Sequence, residues 1–369
     1  MKVAVQRTDL VYAVNAASKA IAVKSVDDKF AGITIVAEND ELTLTARNGE
    51  MLIEVCVKAD VIESGEVTVP GKTFAETARK TSGEETEIEH INGEMRASIS
   101  YSGGSLKIPV LPNGNVAFKE LEETAGIKIK VGDFKKMVQK VQAYTAKDDA
   151  RPILKGICLC TKDGELIAVA CDGFKLAKNK VAVEKDGAED IRITVPCYSM
   201  QTISSLLEDD DTLVELGISS KTKQLCVKQK GIKIVSVILN GEYMNYDAII
   251  PQQFATTSDV MREELVESLE RSLLVGDGKG TAILTVDVNE VGVHAAGDVG
   301  ELNDSVGTYT QGKTVKIGFN AKYLIEALKN LKGEKAKLQL NTGNHPMVIE
   351  EKDTLFLLMP MRMPKGAEA

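Results

Sequence analysis

The alternation of apolar and polar residues along the first third of the chain predicts strands interrupted by two helices. Residues 2–6 alternate as in a half-buried strand, and the apolar residues between 10 and 21 recur at helical spacing. We expect Asp9 to cap this first helix. Alternating segments over 33–57 predict further strands, and a second short helix with Phe74 on its apolar face follows.

The same order of elements recurs twice more, at nearly constant offsets. Asp172 stands 124 residues after Asn48, Pro196 stands 126 residues after Pro70, and Phe319 stands 123 residues after Pro196. Three similar offsets indicate a repeated unit of about 120 residues, with two helices and roughly eight strands in each copy. We therefore predict an α+β fold of three similar domains, over 1–125, 126–252 and 253–369.

The last apolar segment, 355–363, holds three leucines and three methionines. Pro360 has no N–H to donate to a ladder, so we expect an edge or terminal strand whose end is partly open. Methionine is adaptable and is common on surfaces that accept more than one peptide, and Arg362 adds a charge beside the apolar patch. The alternative is a buried closing strand.

Composition places the chain among globular proteins with several domains. It has 369 residues, of which 43% are hydrophobic. No apolar run approaches the roughly 18 residues of a membrane span, and residues 1–7 alternate like a strand where a signal peptide would be apolar. We expect a cytoplasmic protein.

The cysteines indicate neither a metal site nor a disulfide framework. The six cysteines form no CxxC pair, and only three histidines accompany them. Cys158 and Cys160 lie two residues apart in a predicted strand, hence on one face, where we expect them to be core residues. No metal and no cofactor is therefore predicted.

The net charge of −9 argues against ordinary nucleic-acid binding, but basic residues cluster on the polar faces of helices. If those helices shared one surface, it would suit phosphates without reading their sequence. An ordinary solvated helix face is the alternative. The bases are Lys72, Arg79 and Lys80 in the first repeat, Lys135, Lys136, Lys140 and Lys147 in the second, and Lys322, Lys329 and Lys332 in the third.

No catalytic constellation is evident. The glycine-rich segment 276–280 follows a helix and precedes a strand, the reverse of a phosphate-binding loop, and we expect a flexible turn there. The acidic run 208–211 is typical of a solvated helix end. Neither a GxSxG nor an HExxH motif occurs, and we expect that the chain is not an enzyme.

Four motifs, together with the triplication, resemble the bacterial DNA sliding clamps, the beta subunits of DNA polymerase III. They cover 151–156, 171–177, 317–323 and 358–363. The resemblance implies a processivity factor: a head-to-tail homodimer that closes a ring of six clamp domains around duplex DNA, independently of sequence. It adds Lys24 to the basic residues above as a DNA-facing group, and it places Leu106 and Ile108 of one chain against Leu273 and Leu274 of the other. Lys72 and nearby bases would then face Asp298, Glu301 or Asp304.

The resemblance further implies an apolar cleft that binds short peptides of the replicative DNA polymerase, the clamp loader and other replication and repair proteins. A monomeric scaffold of this fold that binds peptides but not DNA is the alternative. The cleft residues would be Leu154, Cys171, Gly173, Phe174, Lys175, Leu176, Met244, Tyr246, Ile249, Asn320, Tyr323, Pro346, Leu357, Met359, Pro360, Met361 and Arg362.

The chain departs from the family pattern in three places. Phe174-Lys175 stands where the family commonly has His-Arg, so this chain lacks the planar guanidinium fork there. The segment 243–246, Tyr-Met-Asn-Tyr, stands where Phe-Pro-Asp-Tyr is common, and Ala248 replaces a frequent basic residue. These differences bear on which peptides the cleft prefers.

Overall fold

The computed structural model describes residues 1–21, 31–112, 126–185, 190–219 and 222–363. Within them the chain forms six α-helices and 26 strands. The helices are α1 Arg7–Ala17, α2 Gly71–Lys80, α3 Val131–Val141, α4 Cys197–Leu206, α5 Arg262–Val275 and α6 Ala321–Lys329.

The strands are short and mostly joined in sequence order. They are β1 Lys2–Gln6, β2 Gly32–Glu38, β3 Glu41–Arg47, β4 Met51–Lys58, β5 Asp60–Glu63, β6 Gly65–Pro70, β7 Glu85–Glu89, β8 Arg96–Tyr101, β9 Gly104–Pro109, β10 Ile127–Lys130, β11 Gly156–Lys162, β12 Glu165–Cys171, β13 Lys175–Ala182, β14 Glu184–Lys185, β15 Arg192–Pro196, β16 Leu213–Ser219, β17 Gln224–Gln229, β18 Ile232–Val237, β19 Thr256–Met261, β20 Thr281–Val286, β21 Glu290–Gly297, β22 Gly300–Gly312, β23 Val315–Asn320, β24 Lys335–Leu340, β25 Met347–Glu351 and β26 Thr354–Leu358.

Each predicted third of the chain contains two of these helices and eight or nine of these strands. The first third holds α1, α2 and β1 to β9, the second holds α3, α4 and β10 to β18, and the third holds α5, α6 and β19 to β26. The predicted α+β class and the triplicate order of elements are therefore confirmed.

Two compact units divide the chain. The first comprises Met1–Lys135, Val183–Asp190 and Val195–Leu239. It contains a five-stranded sheet in the order β5-β1-β7-β8-β9 and a nine-stranded sheet in the order β14-β10-β16-β17-β18-β4-β3-β2-β6. Helix α1 buries Leu10, Ala13 and Val14 because these residues recur on one face, and that face packs against β3 and β4.

The second unit comprises Lys136–Ala182, Ile191–Thr194 and Asn240–Ala369. Its sheet has the order β15-β11-β12-β13-β26-β25-β24-β19-β22-β21-β20-β23. Helices α5 and α6 pack against each other and bury their apolar faces, which include Leu265, Leu269, Leu324 and Leu328.

The expectation of an edge strand at the C-terminus is wrong. Strand β26 lies inside its sheet, because Leu357 pairs with Leu176 of β13 on one side and with Val348 of β25 on the other. Pro360 follows the end of the strand, so its missing N–H interrupts no ladder. The alternative, a buried closing strand, agrees with the structure, because Leu357 is 1% exposed.

Two helix boundaries also differ from the sequence expectations. Helix α1 begins at Arg7 with Gln6 in the cap position and no side-chain cap, so Asp9 lies inside the first turn. Helix α3 ends at Val141, and a 3₁₀ turn over Gln142–Tyr144 follows it. Lys147 therefore lies beyond the helix on which the sequence placed it.

No helix of the described residues has the length and apolar character that a membrane crossing requires. In the same part of the chain, no group of three or more His, Cys, Asp and Glu side chains is arranged to hold a metal ion.

Candidate partner-binding site

An apolar cluster in the second unit gathers many of the predicted peptide-binding residues. It is built on β11, β12, β13, β25 and β26 and on the segment 243–254. Because alternate residues of neighbouring strands share one face, their side chains meet there. The predicted cleft residues in this cluster are Leu154, Cys171, Leu176, Tyr246 and Leu357, with Met244 and Ile249 packed against it.

These residues differ in how far their side chains are exposed to a partner. Leu154, Cys171, Leu176 and Leu357 are at most 2% exposed and form the interior of the cluster. Met244 and Ile249 are only partly buried. The buried residues can support a bound peptide, whereas contact with it depends on the partly exposed ones.

The segment after β26 and the turn before β13 bring exposed and half-buried apolar groups to the same region. Met359 N–H donates to Phe174 O at 2.8 Å, and Met361 N–H donates to Gly318 O at 2.8 Å. Phe174 is 64% exposed and Met359 is 41% exposed. Pro360 and Met361 are half-buried, and the Arg362 side chain is exposed.

Gly318 explains part of the motif over 317–323. A Cβ atom at this position would lie 3.1 Å from Met361 O and 3.2 Å from Met363 Cγ. Both contacts are tighter than ordinary van der Waals packing, so a larger residue would displace the C-terminal segment. The glycine permits the close approach that holds Met361 in place.

A tight turn before β13 sets the direction of two neighbouring side chains. Asp172 Oδ1 accepts hydrogen bonds from Phe174 N–H at 2.8 Å and from Lys175 N–H at 2.9 Å. Gly173 has a φ of +95°, which favours glycine. Phe174 consequently points to solvent, and Lys175, 7% exposed, points into the unit.

Tyr246 combines a buried hydroxyl with a ring flanked by cations. Its hydroxyl lies 3.2 Å from Cys160 Sγ, at hydrogen-bonding distance. Lys178 Nζ and Arg192 Cζ each lie 5.4 Å from the ring centroid. Burial, followed by the contact with Cys160, raises the pKa of Tyr246, so the phenol is neutral at physiological pH.

The remaining predicted cleft residues lie around α6 and β25. Asn320 caps α6, with its Oδ1 accepting from Lys322 N–H at 3.0 Å. Tyr323 lies in the first turn of the same helix with its side chain half-buried, and Pro346 directly precedes β25.

The predicted DNA-facing residues are mostly exposed, but several have partners within the chain. Lys135 pairs with Asp210 at 2.8 Å, and Lys329 pairs with Glu270 at 2.6 Å. Lys140 Nζ donates to Asn330 O, and burial lowers the pKa of Lys140. The side chains of Lys72, Arg79, Lys80, Lys136, Lys147, Lys322 and Lys332 are exposed, and Lys24 lies outside the described residues.

The predicted dimer residues divide between exposed and buried positions. Leu274 is 76% exposed, Leu106 is 40% exposed and Leu273 is half-buried. Ile108 lies two residues after Leu106 on the same face of β9 and is only 2% exposed in the single chain, and the intersubunit role that the resemblance gives it stays a prediction. Asp304 is already bound by Arg271 of its own chain, with the carboxylate 2.7 Å from Nη2.

Sequence reasoning missed two residues beside this site, Tyr144 and Glu326. Both contact the ammonium group of Lys175. Tyr144 stands out only as an apolar-face residue near α3, and Glu326 stands one helical turn after Tyr323. The spacing of Tyr323 and Glu326 puts them on one side of α6, but no sequence signal relates them to Lys175.

Comparison with known proteins covers nearly the whole chain. Models of the N-terminal, central and C-terminal domains of the DNA polymerase III beta subunit match residues 1–117, 128–245 and 247–362, in that order. The beta sliding clamp of Halalkalibacterium halodurans is 26% identical, with 98% of this chain and 100% of that protein aligned. The beta sliding clamp of Bacillus subtilis is 24% identical over the same shares.

Solved structures have the same fold. The DNA polymerase sliding clamp of Bacillus subtilis superposes with a TM-score of 0.93 at 23% identity, covering 99% of this chain and 100% of that one. The beta subunit of Thermotoga maritima superposes with a TM-score of 0.89 at 24% identity, covering 98% and 100%. The three domain matches, in order along one chain, establish that it belongs to the family of bacterial DNA polymerase III beta subunits, the beta sliding clamps.

Proposed function

We propose that this chain is a DNA polymerase processivity factor, a non-enzymatic sliding clamp that encircles duplex DNA and holds polymerases to it. The match of all three domain models in the order of the family carries this proposal. We further propose domains over 1–125, 126–252 and 253–369 and a cytoplasmic location, which a role in bacterial replication supports.

Encirclement reconciles the basic helix faces with the acidic chain. The net charge is −9, yet α2 presents Lys72, Arg79 and Lys80 to solvent. A closed ring holds DNA by topology, so a few phosphate contacts suffice and the ring can slide. Acidic residues elsewhere would repel DNA from surfaces where binding is unproductive.

Encirclement is tested by loading the protein with its clamp loader onto nicked circular DNA and isolating the complex. We expect the protein to stay bound to the circle and to dissociate when a restriction enzyme linearises it. Reversal of Lys72, Arg79 and Lys80 to Glu should reduce loading and stimulated synthesis. Reversal of two other exposed residues, Lys162 at the end of β11 and Lys352 in the turn before β26, serves as a control. Equal retention on linear and circular DNA would contradict encirclement.

Two free strand edges support a head-to-tail homodimer. In the described residues β9 pairs only with β8, and residues 300–307 of β22 pair only with β21. Unpaired backbone N–H and C=O groups at such edges can continue a sheet into another chain. Because the two edges differ, the contact would be head-to-tail, and two copies that formed it twice would close a ring.

The apolar cluster and the exposed residues beside it form the proposed peptide cleft. The partners proposed for it are segments of the replicative polymerase, the clamp loader and other replication and repair proteins, which would compete for one site. The cleft is tested by measuring binding of overlapping synthetic peptides that tile the replicative polymerase of the same organism. At least one peptide should bind, and Met361→Ala should weaken it while the dimer persists. Absence of any binding peptide, or unchanged affinity in the variant, would reject the cleft.

A further inference from the structure

The turn over 172–175 presents two adjacent side chains in opposite directions. Phe174 is 64% exposed, whereas Lys175 is 7% exposed. Asp172 Oδ1 holds the N–H groups of both residues, and Asp172 N–H donates to Lys175 O at 3.2 Å. These bonds fix the backbone, so the two directions are a property of the turn.

The ammonium group of Lys175 has two hydrogen-bond acceptors and two aromatic rings around it inside the second unit. Nζ lies 2.5 Å from Glu326 Oε2 and 2.8 Å from Ala143 O. It also lies 4.7 Å from the ring centroid of Tyr144 and 4.8 Å from that of Tyr323. An ammonium group has three donors. Two hydrogen bonds and two aromatic faces leave little of this charge for a peptide.

These contacts connect four elements around the turn. Lys175 begins β13, Glu326 and Tyr323 belong to α6, and Tyr144 ends the 3₁₀ turn after α3. Tyr144 in turn stacks on Phe356 of β26, with ring centroids 5.3 Å apart and planes inclined by 23°. Lys175 therefore holds the base of the turn that carries Phe174.

Phe174 is continuous with the other exposed apolar residues of the proposed cleft. Its carbonyl accepts from Met359 N–H at 2.8 Å, and the Met359 side chain is 41% exposed. An exposed aromatic side chain on a fixed backbone has only two side-chain torsions to immobilise, so covering it costs little entropy. Its chemistry suits an apolar side chain of a linear peptide.

We propose that Phe174 is a specificity-determining contact for an apolar residue of the polymerase peptide, and that Lys175 is a positioning residue that holds this contact without touching the peptide. The inference rests on the proposed peptide cleft. It replaces the expectation that both residues bind the peptide directly.

The role of Phe174 is tested with the tightest-binding polymerase peptide that lacks tryptophan. Phe174→Ala should weaken binding about tenfold, as for an aromatic anchor, with the unfolding midpoint unchanged because the side chain is exposed. The chain has no tryptophan, so Phe174→Trp introduces a single fluorescent reporter. Its emission should move to shorter wavelength when the peptide binds. Unchanged affinity in Phe174→Ala, or unchanged emission at saturation, would overturn the contact.

The role of Lys175 is tested by Lys175→Met alone and together with Glu326→Leu. Removing the cation alone leaves Glu326 facing the apolar rings, so peptide affinity should fall. Replacing both members of the pair should restore most of that affinity, and the salt dependence of binding should match the wild type. A direct charged contact predicts the opposite: the double variant stays weak and loses salt dependence.

Failure of this inference is distinguishable from failure of the proposed cleft. If no polymerase peptide binds the wild-type protein, the cleft itself is rejected, and the assigned roles fall with it. If the wild type binds and Phe174→Ala binds equally well, the cleft stands and the role of Phe174 is rejected. If the double variant fails to recover while it folds normally, Lys175 is a direct contact.

Discussion

Cys158 and Cys160 lie in the apolar cluster, as their spacing on one face of a strand predicted. Cys158 is 0% exposed, and burial raises the pKa of its thiol to about 12. A thiolate, not a thiol, reacts with alkylating agents. The burial that makes this residue part of the core therefore also makes it unreactive.

Alkylation by iodoacetamide at about pH 8 should label Cys158 far more slowly than Cys197, whose side chain is only half-buried. Peptide mapping by mass spectrometry would measure both rates in the same sample. In concentrated urea the two residues should react at similar rates, which controls for sequence effects. Rapid labelling of Cys158 in the folded protein would contradict its burial.

The Asp304 carboxylate provides a pH-dependent contribution to stability. Its hydrogen bonds with Arg271 hold the pKa of Asp304 below its ordinary value of 3.8. A lowered folded-state pKa means that the folded state binds fewer protons than the unfolded state at acid pH. The contribution is fully present above the unfolded-state pKa and is lost as pH falls through the lower folded-state pKa.

Asp304→Asn should reduce the free energy of unfolding at pH 7 by less than about 1 kcal/mol, because the pair is partly solvated. The difference from the wild type should shrink as the pH is lowered below about 4. Urea denaturation at several pH values measures this difference in the free energy of unfolding. Asp298→Asn, at an exposed carboxyl in the turn between β21 and β22, serves as a matched control and should show a smaller effect.

A helix can be predicted from the sequence alone where its apolar pattern lies within a few neighbouring residues. The helical spacing of the apolar residues between 10 and 21 predicted α1, and the helix predicted with Phe74 on its apolar face is α2. The place of β26 did not follow, because its partner β13 lies about 180 residues earlier in the chain. Strand order depends on such distant pairing, which single-sequence patterns do not contain.

The candidate site could be predicted only in part, for the same reason. Motif resemblance gathered Leu154, Leu176 and Leu357, and the structure places them in one cluster. It did not reveal that Lys175 turns inward, because its direction depends on Glu326, which is 151 residues away. Whether a side chain of the motif contacts a partner or supports the site is decided by such tertiary contacts.

The turn before β13 can be tested by Gly173→Ala. An added Cβ would have only Arg151 Nη2 near it, at 3.7 Å, so the cost is backbone strain at a φ of +95°. We expect about 1 kcal/mol of destabilisation by urea denaturation, together with weaker binding of the polymerase peptide. Gly164→Ala, with a φ of +78° and no atom within 4 Å, should cost similar stability and leave peptide binding unchanged.

At the scale of the whole molecule, the proposed function depends on the closure of a ring by two chains. One chain has a mass of 39.8 kDa, and the proposed clamp needs two copies. Leu274 is 76% exposed on α5, and Val299, immediately before β22, is 82% exposed. Apolar side chains beside a free strand edge are typical of a surface that another chain covers.

Sedimentation at low micromolar concentration should therefore give a particle of twice 39.8 kDa for the wild-type chain. Leu274→Asp should shift it toward the monomer, because a charge would be buried in the contact. Leu213→Asp, at a residue 46% exposed on β16, should leave the mass unchanged.

If the Leu274 variant is monomeric, still binds the polymerase peptide and no longer stays on circular DNA, then peptide binding belongs to the single chain and DNA retention belongs to the ring. A wild-type monomer that binds peptide and is never retained on DNA would instead support the scaffold alternative.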